Sequence, residues 1–409
     1  MNRERRRISV GRMELHSHTH YSNLRLLDAI NRPEDLIKRA IELNLAGIAI
    51  TDHESLSAHV ELDKLVKQYS ESNPNFKIAR GNEIYLTDER VQGQKYWHYI
   101  LIALDATGHK MLRELSSNAW LNSYYDRGME RVPTLKTELA AIVKKYGYKH
   151  LVTSTACLGS QIDGLILQLI QYRENNDITN EQETYKKIVN FLSWNKELFH
   201  ENFYLEVQPA RSKEQIAVNK MIKNIGAAFD IKIIVTTDAH YLTKEDRWVH
   251  KAFLNSKGGE REVDEFYEYA YLQSTEEVIQ NLEGTGLDYN ELEKNTLEIY
   301  DKIQNYSLAK NQQVPQVEVK DYPPLKIGDI KPEFIKKYPT LTQLFMSDNI
   351  QERYWINQCM IKLNDLELAN DEYVERLEYE ADIKAHVGKN LDTCVFAYPI
   401  FLQHYINLF

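Results

Sequence analysis

The sequence predicts an α/β protein built on a distorted (β/α)7 barrel, and three observations predict it. Short apolar runs alternate with amphipathic helical stretches up to about residue 245. Several of those runs are apolar throughout, as strands buried on both faces are. Nine metal-type donors, His16, His18, Asp28, His53, Glu83, His98, Cys157, Asp238 and His240, fall at or beside the ends of the runs. A barrel would bring such ends to one rim. Nine N, O and S donors on one rim would hold more than one divalent metal, and centres of that kind cleave phosphate esters. The alternation by itself also admits a doubly wound open sheet.

The elements follow in order. Met13–Leu15 leads into His16. A helix is expected over Pro33–Leu45, with proline in its first turn and Leu36, Ile37, Ala40, Ile41 and Leu45 on one face. Ala46–Thr51 reads as a buried strand ending at Asp52-His53, followed by a helix over about Ser57–Tyr69. Phe76–Ala79 is a third strand, ending near Gly81-Asn82-Glu83. In the fourth, His98–Leu104, the donor stands first, so this strand either runs against the others or begins at the rim. Helices are expected at Lys110–Trp120 and Thr134–Tyr146, and a fifth strand, Leu151–Thr155, runs into Cys157. Helices at Gln161–Tyr172 and Gln182–Leu198 precede a sixth strand, Phe203–Gln208. A helix at Lys213–Phe229 then leads to a seventh, Lys232–Thr236, which ends at Asp238-Ala239-His240.

Composition shifts after the barrel, which is assigned to residues 1–250. A helical extension over 251–306 includes a charged helix at Asp288–Gln304. Residues 307–340 are rich in Lys, Pro and Gln, and their prolines (Pro315, Pro323, Pro324, Pro332 and Pro339) predict a linker or arm without regular helix. Helical patterning resumes over 341–409, at Leu341–Leu363 and Asp371–Val387. A chain of 409 residues suits two or three domains.

Three cysteines, Cys157, Cys359 and Cys394, are too few and scattered for a disulfide framework, which fits a reducing cytoplasm. No apolar run is long enough for a membrane span. The charged start, Met1 to Arg7, is followed by no apolar stretch and does not read as a secretory signal. A net charge of −10 argues against a broad DNA-coating surface. It leaves open DNA at a metal site, where bound cations offset carboxylates.

His16-Ser17-His18 places two imidazoles on one face of a strand, about 6–7 Å apart along it. Alone, that pair is weak evidence and reads more readily as two surface or core histidines. Thr51-Asp52-His53 after a buried strand suits a ligand with an adjacent carboxylate to orient it. Asp238-Ala239-His240 repeats the i, i+2 spacing, and three such pairings at separate strand ends weigh against coincidence. Glu83 and Asp28 add carboxylates that can bridge metals, although each taken singly reads as a solvated charge. Singly, too, Cys157 reads as buried core and His98 as a histidine facing water. His20 reads as a residue that has left the strand, and His59, His109, His150, His200 and His250 as ordinary.

These residues resemble a known family. His16-Ser17-His18-Thr19 with Tyr21-Ser22, Leu26-Leu27-Asp28, Thr51-Asp52-His53, Gly81-Asn82-Glu83, Ala156-Cys157-Leu158 and Asp238-Ala239-His240 are similar to the PHP (polymerase and histidinol phosphatase) domain. The resemblance is closest to the form that opens the alpha subunit of bacterial DNA polymerase III, and it covers roughly residues 13–250. Phe203 to Gln208 and Arg376 to Glu380 also look like segments of that subunit.

The resemblance implies a distorted seven-stranded barrel that holds two or three divalent metals, commonly zinc, manganese or iron. Forms that keep all ligands can act as a 3′–5′ exonuclease, whereas forms that have lost several serve as scaffolds. All nine positions here hold a competent donor, with Cys157 where many phosphatase relatives have histidine. The spacing between Ser22 and Asp28 is slightly longer than the family's. Tyr398-Pro399-Ile400-Phe401 resembles the approach to a polymerase palm, and the paired palm aspartates do not follow.

The expected function is metal-assisted phosphodiester hydrolysis at a DNA 3′ end, without polymerisation by this chain alone. A second polypeptide carrying palm and fingers is the expected partner. Asp52 is expected to orient His53, and Arg80 and Arg211 to contact phosphate. Two other readings stand beside this one: an inactive assembly scaffold, and a histidinol-phosphatase-like enzyme.

Overall fold

The computed structural model describes residues 11–24, 27–126, 129–257, 266–310, 318–391, 395–396 and 399. They fall into two compact units, Met1–Ala309 and Lys310–Phe409.

The described residues of the first unit form ten strands: β1 (Gly11–Glu14), β2 (Leu45–Ile50), β3 (Lys77–Thr87), β4 (Trp97–Ala103), β5 (Tyr124–Asp126), β6 (Met129–Arg131), β7 (Pro133–Leu135), β8 (Leu151–Ser154), β9 (Phe203–Val207) and β10 (Ile233–Val235). Its helices are α1 (Pro33–Glu42), α2 (His59–Ser70), α3 (Ala106–Leu121), α4 (Lys136–Tyr146), α5 (Gln161–Glu174), α6 (Ile178–Phe199), α7 (Lys213–Phe229), α8 (Arg247–Leu254), α9 (Thr275–Asn281) and α10 (Tyr289–Lys302). Seven strands make the barrel in the order β1-β2-β3-β4-β8-β9-β10, while β7 pairs beside β3 and β5–β6 form a separate hairpin. The ring closes beyond the ends of its first and last strands, where Ser17 and Ala239 form a parallel bridge and the His18 N–H donates to the Ala239 carbonyl at 3.0 Å.

Neighbours are parallel except at β4, which runs antiparallel to both β3 and β8. That reversal puts the first residues of β4 at the rim where the other strands end. Both readings of the fourth strand therefore hold. The third strand is longer than expected and continues straight through Glu83 to Thr87.

Period-two alternation divides the strands' side chains between two cores. Met13, Ala49, Ala79, Ile100, Ile102, Val152, Tyr204 and Ile234 face inward and pack together. Ile84, Leu86, Leu101, Phe203, Leu205 and Val207 face outward against α3 to α7. Adjacent strands approach closely at Gly47, where an added Cβ would stand 2.4 Å from the Lys77 carbonyl oxygen. The end opposite the rim is closed by α10, whose Ile299, with Ile303 just beyond it, joins the inner core. There Asn295 Nδ2 donates to the Ile233 carbonyl and Lys77 Nζ to the carbonyls of Tyr300 and Ile303.

The second unit contains α11 (Pro332–Lys337), α12 (Pro339–Met346), α13 (Ile350–Asp365) and α14 (Asp371–Leu391), packed around Leu341, Leu344, Trp355, Ile356, Val374 and Phe396. Two expectations need correction. Pro332 and Pro339 begin helices rather than preventing them, since proline at the first helical position forfeits no hydrogen bond. The single helix expected over Leu341–Leu363 is broken at Ser347–Asn349, where Asn349 accepts from the N–H groups of Gln351 and Glu352 and starts a new helix. Among the described residues no helix is long and apolar enough to cross a membrane.

Candidate metal centre

The structure brings all nine predicted donors together at the barrel rim. His16 and His18 follow β1, and their Nε2 atoms lie 3.0 Å apart. Glu83 Oε2 stands 3.0 Å from His16 Nε2, 2.9 Å from His18 Nε2 and 3.2 Å from His53 Nδ1. Asp238 Oδ1 is 3.1 Å from Nε2 of both His16 and His18. Asp28 Oδ2 lies 2.6 Å from His53 Nε2 and 3.1 Å from His240 Nε2. His98 Nδ1 touches Glu83 Oε1, and Cys157 Sγ is 3.5 Å from the same nitrogen. Three overlapping groups emerge, each with the spacing for a metal ion: His18, His53 and His240; His16, His18, Glu83 and Asp238; and His53, Glu83 and His98.

The chemistry of this cluster fits cations. His16 Nδ1 is 2.7 Å from the Glu206 carboxylate, which fixes the ring proton there and leaves the Nε2 lone pair facing the rim. His18 Nδ1 is 3.1 Å from Ser22 Oγ, whose own hydrogen goes to Asp52 at 2.8 Å. His18 Nδ1 is therefore also turned away from the rim, and the Nε2 atoms of both rings face each other and two carboxylates. Buried Nδ1 of His53, Oε1 of Glu83 and Oδ1 of Asp238 lie against these neighbours without a well-directed hydrogen bond. Divalent cations in the three overlapping groups would satisfy these atoms.

Without a cation, and against burial, the same carboxylates draw protons onto the His16 and His18 rings, where a metal would compete for Nε2. Burial alone would push Asp28 and Glu83 up, yet His240 and His53 around the first, and His98, His53 and His16 around the second, hold both well below the usual carboxylate range. Burial likewise opposes a charged His18, but hydrogen bonds to Asp238 and Glu83 raise it to about 9. At His53 burial wins and takes the imidazole down to about 4. Burial, then the Asp238 and Glu83 carboxylates, push the Cys157 thiol well up. A bound cation reverses that last effect by favouring the thiolate. Backbone strain collects here too: Glu54, Ala156 and Asp238 take left-handed φ values of 47°, 63° and 46°.

Three expectations about neighbouring residues are corrected. Asp52 does not reach the His53 ring; it accepts from Thr19 N at 2.6 Å and from the Thr19 and Ser22 hydroxyls, and so acts on His18. Arg80 lies three residues before Glu83 on one strand and faces the opposite side of the sheet, where it pairs with Asp63 at 2.8 Å and packs over Tyr306. Arg211, in the exposed loop after β9, binds Glu283 at 3.1 Å and the Gln280 carbonyl. None of these arginine partners belongs to the donor cluster.

Glu206 is the principal residue the sequence reading missed. Besides His16 it accepts from Thr236 Oγ1 at 2.6 Å and Ser154 Oγ at 2.5 Å. A lone carboxylate at an inward position of the apolar strand Phe203–Val207 was the available signal. Glu14 is similar: it accepts from Thr237 N and Oγ1 and pairs with buried Arg12, anchoring the loop that carries Asp238. Tyr267 donates to Asp28 Oδ1 at 2.5 Å, and His250 Nε2 binds the Asp28 carbonyl at 2.6 Å. His59, His109 and His250 thus have partners, although none was evident in sequence.

Residues 14–210, which carry most of this rim, match the family model of the PHP domain. The kind of PHP domain is that of DNA polymerase III alpha-like proteins. The chain is 35% identical over 413 residues to the Bacillus subtilis protein named Probable DNA polymerase YorL, covering 96% of this chain and 31% of the relative. Identity and coverage are the same for the DNA-directed DNA polymerase of Bacillus phage SPbeta. It is 26% identical over 423 residues to the DNA polymerase III subunit alpha of Aquifex aeolicus, covering 97% of this chain and 31% of that one. The chain thus spans about a third of the length of these relatives.

Proposed function

We propose that this chain is the N-terminal PHP part of a replicative polymerase of the DNA polymerase III alpha type, and that its barrel hydrolyses phosphodiester bonds at the 3′ end of DNA. The observation that carries this reading is the sharing of His18, His53 and Glu83 among the three donor groups. Shared donors suit adjacent cations acting on one phosphate. Zinc, manganese and iron all suit these N, O and S ligands. Divalent cations held there would supply a nucleophilic water at neutral pH and offset charge on the phosphoryl oxygens.

The chain's own residues set the geometry. Glu206 and the Ser22–Asp52 pair keep protons on Nδ1 of His16 and His18, so that both rings present Nε2. Tyr267 and His250 fix Asp28 between His53 and His240. DNA is favoured as substrate because the relatives that match nearly the whole chain are named as DNA polymerases. The same reading names a second polypeptide carrying palm and fingers as partner and places the chain in the cytoplasm.

The test is a comparison of substrates with manganese or zinc supplied: a single-stranded oligonucleotide labelled at its 5′ end, and histidinol phosphate. Stepwise shortening of the oligonucleotide supports the reading. Turnover of histidinol phosphate alone would replace it with a small-molecule phosphatase, and bound metal without turnover of either would leave a scaffold.

A further inference from the structure

Strands β3 and β4 run on together past the rim, and their inward face carries aromatic rings outward from the metal centre. The inward positions of β3 are Glu83 and then Tyr85, and Tyr85 is the cross-strand partner of His98. Tyr96 lies two residues before His98 and so on the same face. The ring centroid of Tyr85 is 5.8 Å from that of His53, 5.0 Å from that of His98 and 4.9 Å from that of Tyr96. Arg131, at the end of β6, closes the row. Its guanidinium lies 5.4 Å from the Tyr96 ring centroid, and Nη1 donates to the Tyr96 hydroxyl at 2.6 Å.

Arg131 is unusual among the nearby cations. Arg90, on the same side of the barrel, makes a two-pronged pair with Glu138 at 2.5 Å. No ion pair joins Arg131 to a described carboxylate, the bond to Tyr96 is the one hydrogen bond of its guanidinium among the described residues, and its buried Nε has no partner. A half-buried guanidinium without a counter-ion, beside a row of rings that begins at two metal ligands, has the chemistry for a nucleotide. A planar cation takes a phosphate, and rings take a base of any sequence.

We propose that Tyr96, backed by Tyr85, and Arg131 form the subsite for the nucleotide next to the scissile phosphodiester of single-stranded DNA. The base packs along the Tyr96–Arg131 row, and its backbone phosphate sits on the guanidinium. This assignment rests on the phosphodiesterase reading and gives it a substrate class, since a small phosphate monoester has no base to occupy the row.

The experiment is fluorescence anisotropy on the full chain, with calcium supplied and a fluorescein-labelled oligothymidylate as probe. Tyr96→Ala is expected to weaken binding about tenfold, whereas Tyr96→Trp retains it. Arg131→Ala is expected to weaken binding and to lower the slope of log affinity against log salt by about one, and Arg131→Lys to restore the slope. An abasic strand of equal length should bind the parent as weakly as thymidylate binds Tyr96→Ala. Equal affinity of the parent for the two strands, or unchanged binding by Tyr96→Ala, would overturn the subsite. Loss of binding on these variants in a chain that hydrolyses nothing would uphold the subsite and sink the hydrolysis reading alone.

Discussion

Nδ1 of His16 lies 2.7 Å from Oε1 of Glu206, at the centre of a buried net that also takes hydroxyls from Ser154 and Thr236. The carboxylate sets the histidine's tautomer and raises the basicity of the nitrogen that faces the metals. Glu206→Gln keeps the shape and removes the charge. Metal affinity is expected to fall about 10–100-fold, read by titrating metal into the stripped protein. Unchanged affinity would show that Glu206 only fills the barrel.

Ser22 relays Asp52 to His18, and its oxygen also accepts the His53 backbone N–H at 3.2 Å. Ser22→Ala removes one hydroxyl and leaves all nine donors in place. It should weaken metal binding by about tenfold while the melting temperature falls by only a few degrees, an amount consistent with losing hydrogen bonds of ~1 kcal/mol each.

Metal removal is expected to destabilise the first unit. The rim holds Asp28, Glu83 and Asp238 buried, at 2.6 Å from His53, 2.9 Å from His18 and 3.1 Å from His16 respectively. A ligand that binds only the folded state adds about 2.7 kcal/mol at a hundred times its Kd. A chelator should therefore lower the melting temperature measurably, and restored zinc or manganese should reverse the change. Identical melting curves would place no metal at the rim.

A second histidine pair makes stability depend on pH away from the metals. His59 Nδ1 lies 3.1 Å from His109 Nε2, and His59 Nε2 lies 3.0 Å from the Gly81 carbonyl oxygen. Burial, aided by His109 and Arg80, takes His59 down to about 3; burial, Arg80 and Arg113 take His109 to about 4. Both values lie below the ordinary 6.5, so the unfolded chain binds protons first as pH falls. The stability this pair contributes is full above about pH 6.5 and is lost toward pH 4, on the order of 3 kcal/mol for each histidine. Urea titrations of the parent and of His59→Gln/His109→Gln should diverge in that window, with the parent losing more. Parallel curves would contradict the pairing.

Much of the barrel was legible in the sequence because its strands are short apolar runs and its rim residues are metal-type donors that mark where the runs stop. The elements that escaped are those set by tertiary partners. Arg80 stands near a predicted rim position in the sequence, but its place on the strand turns it to the face opposite Glu83, where Asp63 on α2 holds it. Adjacency in sequence points Asp52 at its neighbour His53, whereas the turn after His18 brings Thr19 and Ser22 to it. The loop carrying Asp28 is shaped by Asn23, whose side chain binds the backbone of Asp28 and Ala29. Tyr267 reaches Asp28 from 239 residues away, which no local pattern announces. In the second unit, helical periodicity ran unbroken through Ser347–Asn349, and only the Asn349 cap reveals the break.

The most direct test of the central claim is digestion of a 5′-labelled single-stranded oligonucleotide by the parent chain, by His53→Ala and by Asp238→Ala, with metal content measured in each. The account predicts manganese- or zinc-dependent shortening from the 3′ end by the parent, and loss of both metal and activity in the two variants. Undiminished shortening by either variant, or no shortening by a metal-loaded parent, would contradict it.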